Sequence, residues 1–370
     1  TEERIAPFGY IITRDGTVRL PDFLFRLKIE LEPMNVCLGV LAHNEEDRIG
    51  ATLGDLINQD LWTQAGVNAS IWVVVNGSSD RTAQRAREAL VRAPCHSQVV
   101  ELEIAGKANA WNQFVHQFSP PEAEALVLVD ADIRIPQHDA LSRMLLALQE
   151  APLSLAAVDQ PVKDLALRGD KGIASRLSVS ASELAASGPP KLCGQLYLAR
   201  AQALRAIFLP EPMLVEDGFI KAMLVTEGFS QPEDIRRLVR ADGVYHVYEA
   251  ETRMSALFRH EKRILIGTLT NLLLFDLARD LARQGIQVGE WYRAKSASDP
   301  QWFRRLIRER LGRWGGSRIG IMVPVPFRQL LQCKGMVFWR ALPGALARFL
   351  LNLGVAIGAA MDLRGGRLQW

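Results

Sequence analysis

Asp130 and Asp132 are the residues whose type and spacing point most directly to chemistry. They end the stretch Leu126-Val-Leu-Val-Asp130-Ala-Asp132-Ile-Arg-Ile135, an apolar, β-branched run bounded by Pro120-Pro121 and Pro136. Such a run predicts a strand buried on both faces. In a strand, residues i and i+2 point the same way, so both acids are expected to face one ligand at the carboxyl edge of an open α/β sheet. Two like charges this close favour a cation. A hard divalent ion that keeps most of its water and takes its other oxygens from a diphosphate suits them. An Asp-x-Asp tripeptide also arises by chance in loops and helix caps, so its weight depends on its company.

The elements around it follow a repeated plan. Val36 to Ala42 reads as a buried strand, His43-Asn44-Glu45-Glu46 as a polar loop, and Ile49 to Ile57 as a helix. Ile71-Trp-Val-Val-Val75 repeats the strand, ends in Asn76-Gly77-Ser78-Ser79-Asp80-Arg81-Thr82, and feeds a helix running toward Leu90. Val99 to Ile104 is a third strand, and Gly106-Lys107-Ala108-Asn109-Ala110-Trp111-Asn112 opens another helix before the acidic strand. Polar clusters at successive strand ends imply a mostly parallel sheet with one ligand-binding edge. Residues 1–32 form an N-terminal β extension, in which Tyr10 to Leu20 predicts two short strands around Asp15-Gly16.

Taken in order, these four motifs resemble the nucleotide-sugar domain of family 2 glycosyltransferases. Val215-Glu216-Asp217-Gly218 is similar to that family's Glu-Asp motif, and the resemblance spans roughly residues 34–265. It implies an α/β GT-A (Rossmann-like) fold, a mostly parallel sheet flanked by helices, over residues 33–250, followed by a mainly helical, basic region over 251–370. It also implies a donor side made of Leu41, Asn44, Glu45, Asn76, Lys107, Asp130, Ala131, Asp132 and Arg263. Glu45 and Asn76 would line ribose and base, since a carboxylate accepts from hydroxyls and an amide offers both donor and acceptor. By the same resemblance Asp132 is the metal ligand, with His260 as a second contact to metal or phosphate, and the ion is Mn2+ or Mg2+. Gly194 would underlie the acceptor. Asp217 would be the base that deprotonates the acceptor hydroxyl, with Glu216 orienting it, giving one in-line displacement with inversion.

Each assignment has a plainer counterpart. Asn76-Gly77 is also a tight turn, Lys107 a solvated lysine, Gly194 a bulge in a core strand, and Glu216-Asp217 a helix start. This sequence departs from the family in having Val75-Asn76 where two acids are common, and His260 and Ile264 where polymerising members carry Gln and Trp.

Composition sets the outer bounds. The chain has 370 residues, 48% apolar and 23% charged, enough for a large core. Cys37, Cys95, Cys193 and Cys333 are scattered singly, which fits a reducing compartment better than a disulfide framework or a zinc site. Thr1-Glu-Glu-Arg4 lacks the basic flank and apolar core of a signal peptide, so a cytoplasmic setting is expected. The net charge of +3 hides an asymmetry: residues 291–370 hold 14 Lys and Arg against 3 Asp and Glu. The apolar stretches from Ile264 to Leu277 and from Phe349 to Met361 are shorter than the ~20 residues of a spanning helix. In Gln301 to Trp314, the side chains Trp302, Phe303, Leu306, Ile307, Leu311 and Trp314 share one helical side with Arg304, Arg305 and Arg308 off it. That pattern suits either a lipid interface or a helix packed on the domain. No nucleic-acid module accompanies the charge.

The expectation is therefore a metal-dependent inverting glycosyltransferase with a UDP-sugar donor. Its acceptor would be a lipid or lipid-linked hydroxyl at the cytoplasmic face of an anionic membrane. The alternatives are a soluble small-molecule or protein acceptor, and an inactive nucleotide-binding scaffold. A sugar nucleotidyltransferase would begin with a Gly-rich phosphate loop instead of Asn44-Glu45-Glu46.

Overall fold

The computed structural model describes residues 31–164, 188–249, 254–314 and 336–365, together with three two-residue strands nearer the N terminus. Those strands, β1 (Arg4–Ile5), β2 (Ile11–Ile12) and β3 (Val18–Arg19), pair antiparallel in sequence order. The β2–β3 pair flanks Asp15-Gly16, which lies outside the described residues.

The main sheet has seven strands. They are β4 (Met34–Ala42), β5 (Val67–Asn76), β6 (His96–Leu102), β7 (Ala125–Asp130), β8 (Ala156–Lys163), β9 (Leu196–Arg200) and β10 (Leu238–Tyr248), in the spatial order β10-β8-β9-β7-β4-β5-β6. All neighbouring pairs are parallel except the two made by β9, which runs antiparallel between β7 and β8. The alternation along β4 explains why the sheet is covered on both sides. Cys37 and Leu41 enter one apolar core, whereas Val36, Leu38 and Val40 enter another. The second core is closed by α1 (Ile49–Ile57), α2 (Thr82–Leu90) and α4 (Ala140–Glu150). The first is closed by α3 (Lys107–Gln113), α5 (Ala201–Arg205) and α6 (Glu216–Val225), and by the helices that follow.

The acidic strand is shorter than its apolar run suggests. β7 stops at Asp130, and Asp132 lies in the turn beyond it, where Arg134 bridges to Val247 of β10. The i, i+2 geometry of a strand therefore does not apply to the pair. The two acids separate into different surroundings.

The C-terminal helices are α7 (Met254–Arg283), α8 (Val288–Ser298), α9 (Trp302–Trp314) and α10 (Met336–Gly365). The apolar run of α7 packs on the domain, with Leu265, Ile266, Leu269, Leu273 and Leu274 buried. Trp302, Phe303 and Ile307 of α9 are buried too, and Trp302 stacks on Tyr292 of α8 at 5.6 Å. Of the two readings of α9, the packed one holds over its described side chains; those of Leu311 and Trp314 lie outside them. The spacing Gly354-x-x-x-Gly358 brings α10 close to α7: a Cβ on Gly354 would stand 3.3 Å from the Phe258 ring. Among the described residues no helix is long and apolar enough to cross a membrane.

Candidate active site

The carboxyl ends of β4 and β5 carry two loops tied together by neutral hydrogen bonds and, at the exposed rim, by the Arg81–Glu46 ion pair at 3.2 Å and the Glu46 amide donating to Asp80 Oδ2 at 3.1 Å. Asn44 sits at φ +54°, a left-handed conformation that asparagine tolerates. Its Oδ1 accepts from the Ser79 amide at 2.8 Å, and its own amide donates to Ser78 Oγ at 3.0 Å. Asn76 is buried, with Nδ2 donating to the Ala42 carbonyl at 2.8 Å and Oδ1 accepting from the Gly106 amide at 3.0 Å. Asn76 was expected to read a base, but its amide joins three backbone segments instead. Gly77, at φ +61°, passes so near Ala105 that a Cβ would come within 2.7 Å, which fixes glycine there. Leu41 is paired with Asp130 in the sheet, and its carbonyl accepts from the Ala131 amide at 3.1 Å. Thr52 of α1 pins the turn from the other side, donating to the carbonyls of Ala131 and Ile133 at 2.8 Å each.

Lys107 is the centre of the ionic part. Its ammonium lies 2.7 Å from Asp130 Oδ2 and 2.8 Å from Glu216 Oε1, and donates to the Gly194 carbonyl at 3.3 Å. A lysine that the sequence leaves open to solvent is thus the clamp joining the end of β7, the approach to β9 and the start of α6. Burial works against its charge, but attraction first from Asp130 and then from Glu216 holds its pKa above the ordinary lysine range. Burial pushes Asp130 up to about 6 despite Lys107, with repulsion from Asp132 and Glu216 adding to it. Asn112, near the end of α3, brackets the Leu209 backbone with both ends of its amide, at 2.8 and 3.0 Å.

Asp132 stands apart from this clamp. Among the described residues its carboxylate takes no hydrogen bond or ion pair, although Glu45 and Asp130 both feel its charge. Burial and then Asp132 push Glu45 up to about 7, against the pull of Arg48. Acidic oxygens crowded without a neutralising side chain on Asp132 are a donor set that fits a hard divalent cation. The described residues contain no group of three or more His, Cys, Asp or Glu side chains arranged to hold a metal. A diphosphate and water would have to complete the shell. His260 and Arg263 are exposed on α7, on the helical stripe whose later members Gly267 and Asn271 touch Val215. Residue 260 is about 10 Å along the axis from 267. His260, expected beside Asp132 on the metal, makes no hydrogen bond or ion pair with it.

Asp217 opens α6 beside Glu216. Its Oδ1 accepts from the Gly218 amide at 2.7 Å, and the Gly194 amide also bonds to the carboxylate. Burial, then the neighbouring Glu216, raises its pKa, and these amides pull it partly back. Gly194 has no room for a side chain, because a Cβ would lie 2.8 Å from Glu216 Oε1 and 3.4 Å from Asp217 Cβ. The glycine lets the chain before β9 run against the acidic pair and present both its amide and its carbonyl.

One ion pair next to the site escaped the sequence reading. His246 of β10 is fully buried, with Nδ1 at 2.7 Å from Asp159 Oδ2 and Nε2 at 3.2 Å from Gln195 Oε1. The Gln195 carbonyl in turn accepts from the Asp130 amide at 2.8 Å. Attraction to Asp159 overcomes the burial of His246 and lifts it to about 10. Asp159 ends an apolar run just as Asp130 does, which is the signal the sequence carries; no local pattern marks His246.

Residues 37–176 match the family described as Glycosyl transferase family 2. No curated protein matches the chain. Among solved structures, the chain is similar to a mannosyltransferase from Pyrobaculum calidifontis in complex with GDP-Man and Mn2+, at 17% identity, TM-score 0.54 and 90% coverage of each chain. It is also similar to glucosyl-3-phosphoglycerate synthase from Mycobacterium tuberculosis in complex with Mg2+ and UDP, at 17% identity and TM-score 0.44, covering 64% of this chain and 79% of that one. The family match covers the strands and loops from β4 to β8, so residues 37–176 form a family 2 glycosyltransferase domain, and the chain shares the GT-A fold of the mannosyltransferase.

Proposed function

We propose that this glycosyltransferase moves a sugar from a nucleoside diphosphate sugar to a hydroxyl acceptor in one metal-dependent, inverting step. The observation that carries this reading is the Lys107 clamp. It joins Asp130 at the end of the acidic strand to Glu216 at the start of α6, which supports reading their neighbours Asp132 and Asp217 as parts of one site. Asp132 would hold Mg2+ or Mn2+, which neutralises charge gathering on the departing diphosphate. Asp217, made more basic by burial, takes the proton of the acceptor hydroxyl, while Glu216, fixed by Lys107, keeps the start of α6 in place. Glu45 meets the ribose; Leu41, Asn44, Asn76 and Ala131 shape the pocket around it, and Arg263 meets the diphosphate from α7. A UDP-sugar is the donor expected from the sequence. GDP is a second reading, favoured by the complex of the archaeal mannosyltransferase that matches over 90% of both chains. The acceptor is a lipid or lipid-linked hydroxyl, and the basic C-terminal region keeps the enzyme on the cytoplasmic face of a membrane.

Calorimetric titration with UDP and GDP, with and without Mn2+, tests the donor side. Metal-dependent binding of one of them, lost in Asp132→Ala, is the expected outcome; no binding to either moves the scaffold reading to the front. For the base, Asp217→Asn should keep nucleotide binding and lower transfer by about 10²- to 10⁴-fold. Undiminished transfer would remove Asp217 from that role.

A further inference from the structure

The apolar face left open by the C-terminal helices is not the one on α9. Leu346, Leu350, Leu353, Ile357 and Met361 of α10 are each between 39% and 67% exposed. They follow one another at intervals of four, three, four and four residues, which sets them in a single stripe about 22 Å long. Isolated exposed leucines need no explanation, but five in register on one helix face do.

The rest of α10 is committed to the protein. Val355, Ala356, Ala359 and Leu363 are buried, Gly354 and Gly358 approach Phe258 of α7, and Asp362 pairs with Lys262 at 2.5 Å. The helix is held along its inner side, so the stripe faces outward as a fixed surface. α9 packs against α10, and its Arg308 and Arg310 are exposed. Both helices belong to the segment with 14 basic and 3 acidic residues.

We infer that the α10 stripe is the surface by which the enzyme lies on an anionic lipid bilayer, with leucine, isoleucine and methionine side chains at the acyl boundary and the nearby arginines at the headgroups. This rests on the membrane placement proposed above and names the part of the molecule that carries it. An apolar stripe combined with basic charge is the pairing that stable interfacial attachment requires. A second copy of the chain is a poorer occupant, because two such positive regions repel one another when brought face to face. Since α10 is not a spanning helix, it lies on the membrane. The attachment is mechanically close to the chemistry. α7 touches α10 at Phe258 and touches Val215, just before the acidic pair, at Gly267, about 14 Å further along the same helix.

The test is co-sedimentation of the full chain with vesicles of phosphatidylcholine alone and of an equimolar mixture with phosphatidylglycerol. It compares the wild type with Leu350→Glu/Ile357→Glu, whose changes fall on exposed positions. The wild type should pellet with the anionic vesicles, and the variant should bind them at least about tenfold more weakly with its Mn2+-dependent nucleotide binding unchanged. A variant that pellets like the wild type overturns the assignment to α10 while leaving membrane attachment in place. Wild type that pellets with neither vesicle overturns the attachment itself. A wild-type dimer that the variant loses, with no vesicle binding, would give the stripe to a second copy. Nucleotide binding, read separately, reports on the donor site whatever the vesicles show.

Discussion

At the β4–β5 end of the sheet edge the buried tie is the neutral amide of Asn76, with the Arg81–Glu46 pair and Asp80 joining the loops at the exposed rim, and at the β7–β9 end the buried ties are ionic. Asn44 and Asn76 join backbone groups that carry no net charge, so each bond is worth about 1 kcal/mol and is insensitive to pH. Lys107 joins Asp130 to Glu216, and His246 joins Asp159 to Gln195. Charged bonds are stronger, and they are asymmetric: removing one member leaves the others uncompensated. Neutral ties suit a pocket that must keep its shape. Ionic ties suit the end to which the proposed function assigns the metal and the base, because a cation or proton arriving there would meet groups already balanced against one another.

The comparison breaks first, and hardest, at Lys107. In Lys107→Met, Asp130 and Glu216 face each other with no cation between them. Breaking a buried pair in this way costs about 3–5 kcal/mol, and the partial exposure of these side chains, 9–22%, puts the cost near the lower figure. The urea midpoint should fall accordingly, transfer should be lost, and added Mn2+ should restore part of the stability by replacing the missing charge. An unchanged midpoint would mean that the clamp is ornamental and that the two ends of the edge are held alike.

A smaller loss is expected at the neutral end. Asn76→Ala leaves the Ala42 carbonyl and the Gly106 amide without their partner, at about 1–3 kcal/mol for a buried group left unsatisfied. Here the loss should be the same at low and high salt and should not respond to Mn2+. Salt or metal dependence of the Asn76→Ala deficit, measured by the same urea unfolding, would erase the distinction between the two ends.

How legible this was in the sequence follows the same division. The alternation of apolar strands and helices was readable because burial on both faces leaves continuous runs such as Val36 to Ala42 and Ile71 to Val75, and the helix bounds of α1 and the start of α6 agree with the reading. The end of β7 was misread, since nothing in Asp130-Ala-Asp132-Ile distinguishes a strand from a strand that turns after its first acid. Roles that depend on partners from distant segments were not readable at all. Lys107 needs Glu216 from 109 positions away to become a clamp, and His246 needs Asp159 from 87. Likewise the segment of α9 reads as an amphipathic helix and that of α10 as an apolar run, and neither pattern says which is covered. Which one is covered was decided by where Tyr292 and Phe258 stand.

The effect confined to one pH window, and the one that most sharpens the contrast, is the pH dependence carried by His246. Its pKa is about 10 in the folded protein against an ordinary 6.5, because Asp159 stabilises the imidazolium inside the sheet. A group whose folded pKa is raised contributes stability that is fully present below its unfolded value and is lost as pH climbs to the folded one. The window therefore runs from about pH 6.5 to about pH 10, and within it the folded state should weaken progressively. His246→Gln keeps a hydrogen-bonding side chain but cannot be protonated, so its own stability should change less across that window. The gap between wild type and variant should be widest at pH 6 and close toward pH 10. Ionisation of buried tyrosines and of Cys37 weakens both proteins alike at the alkaline end, which is why the difference between them, and not either curve, is the quantity to measure. A gap that stays constant with pH would show that His246 serves only as a neutral hydrogen-bonding group, and the ionic end of the edge would then rest on Lys107 alone.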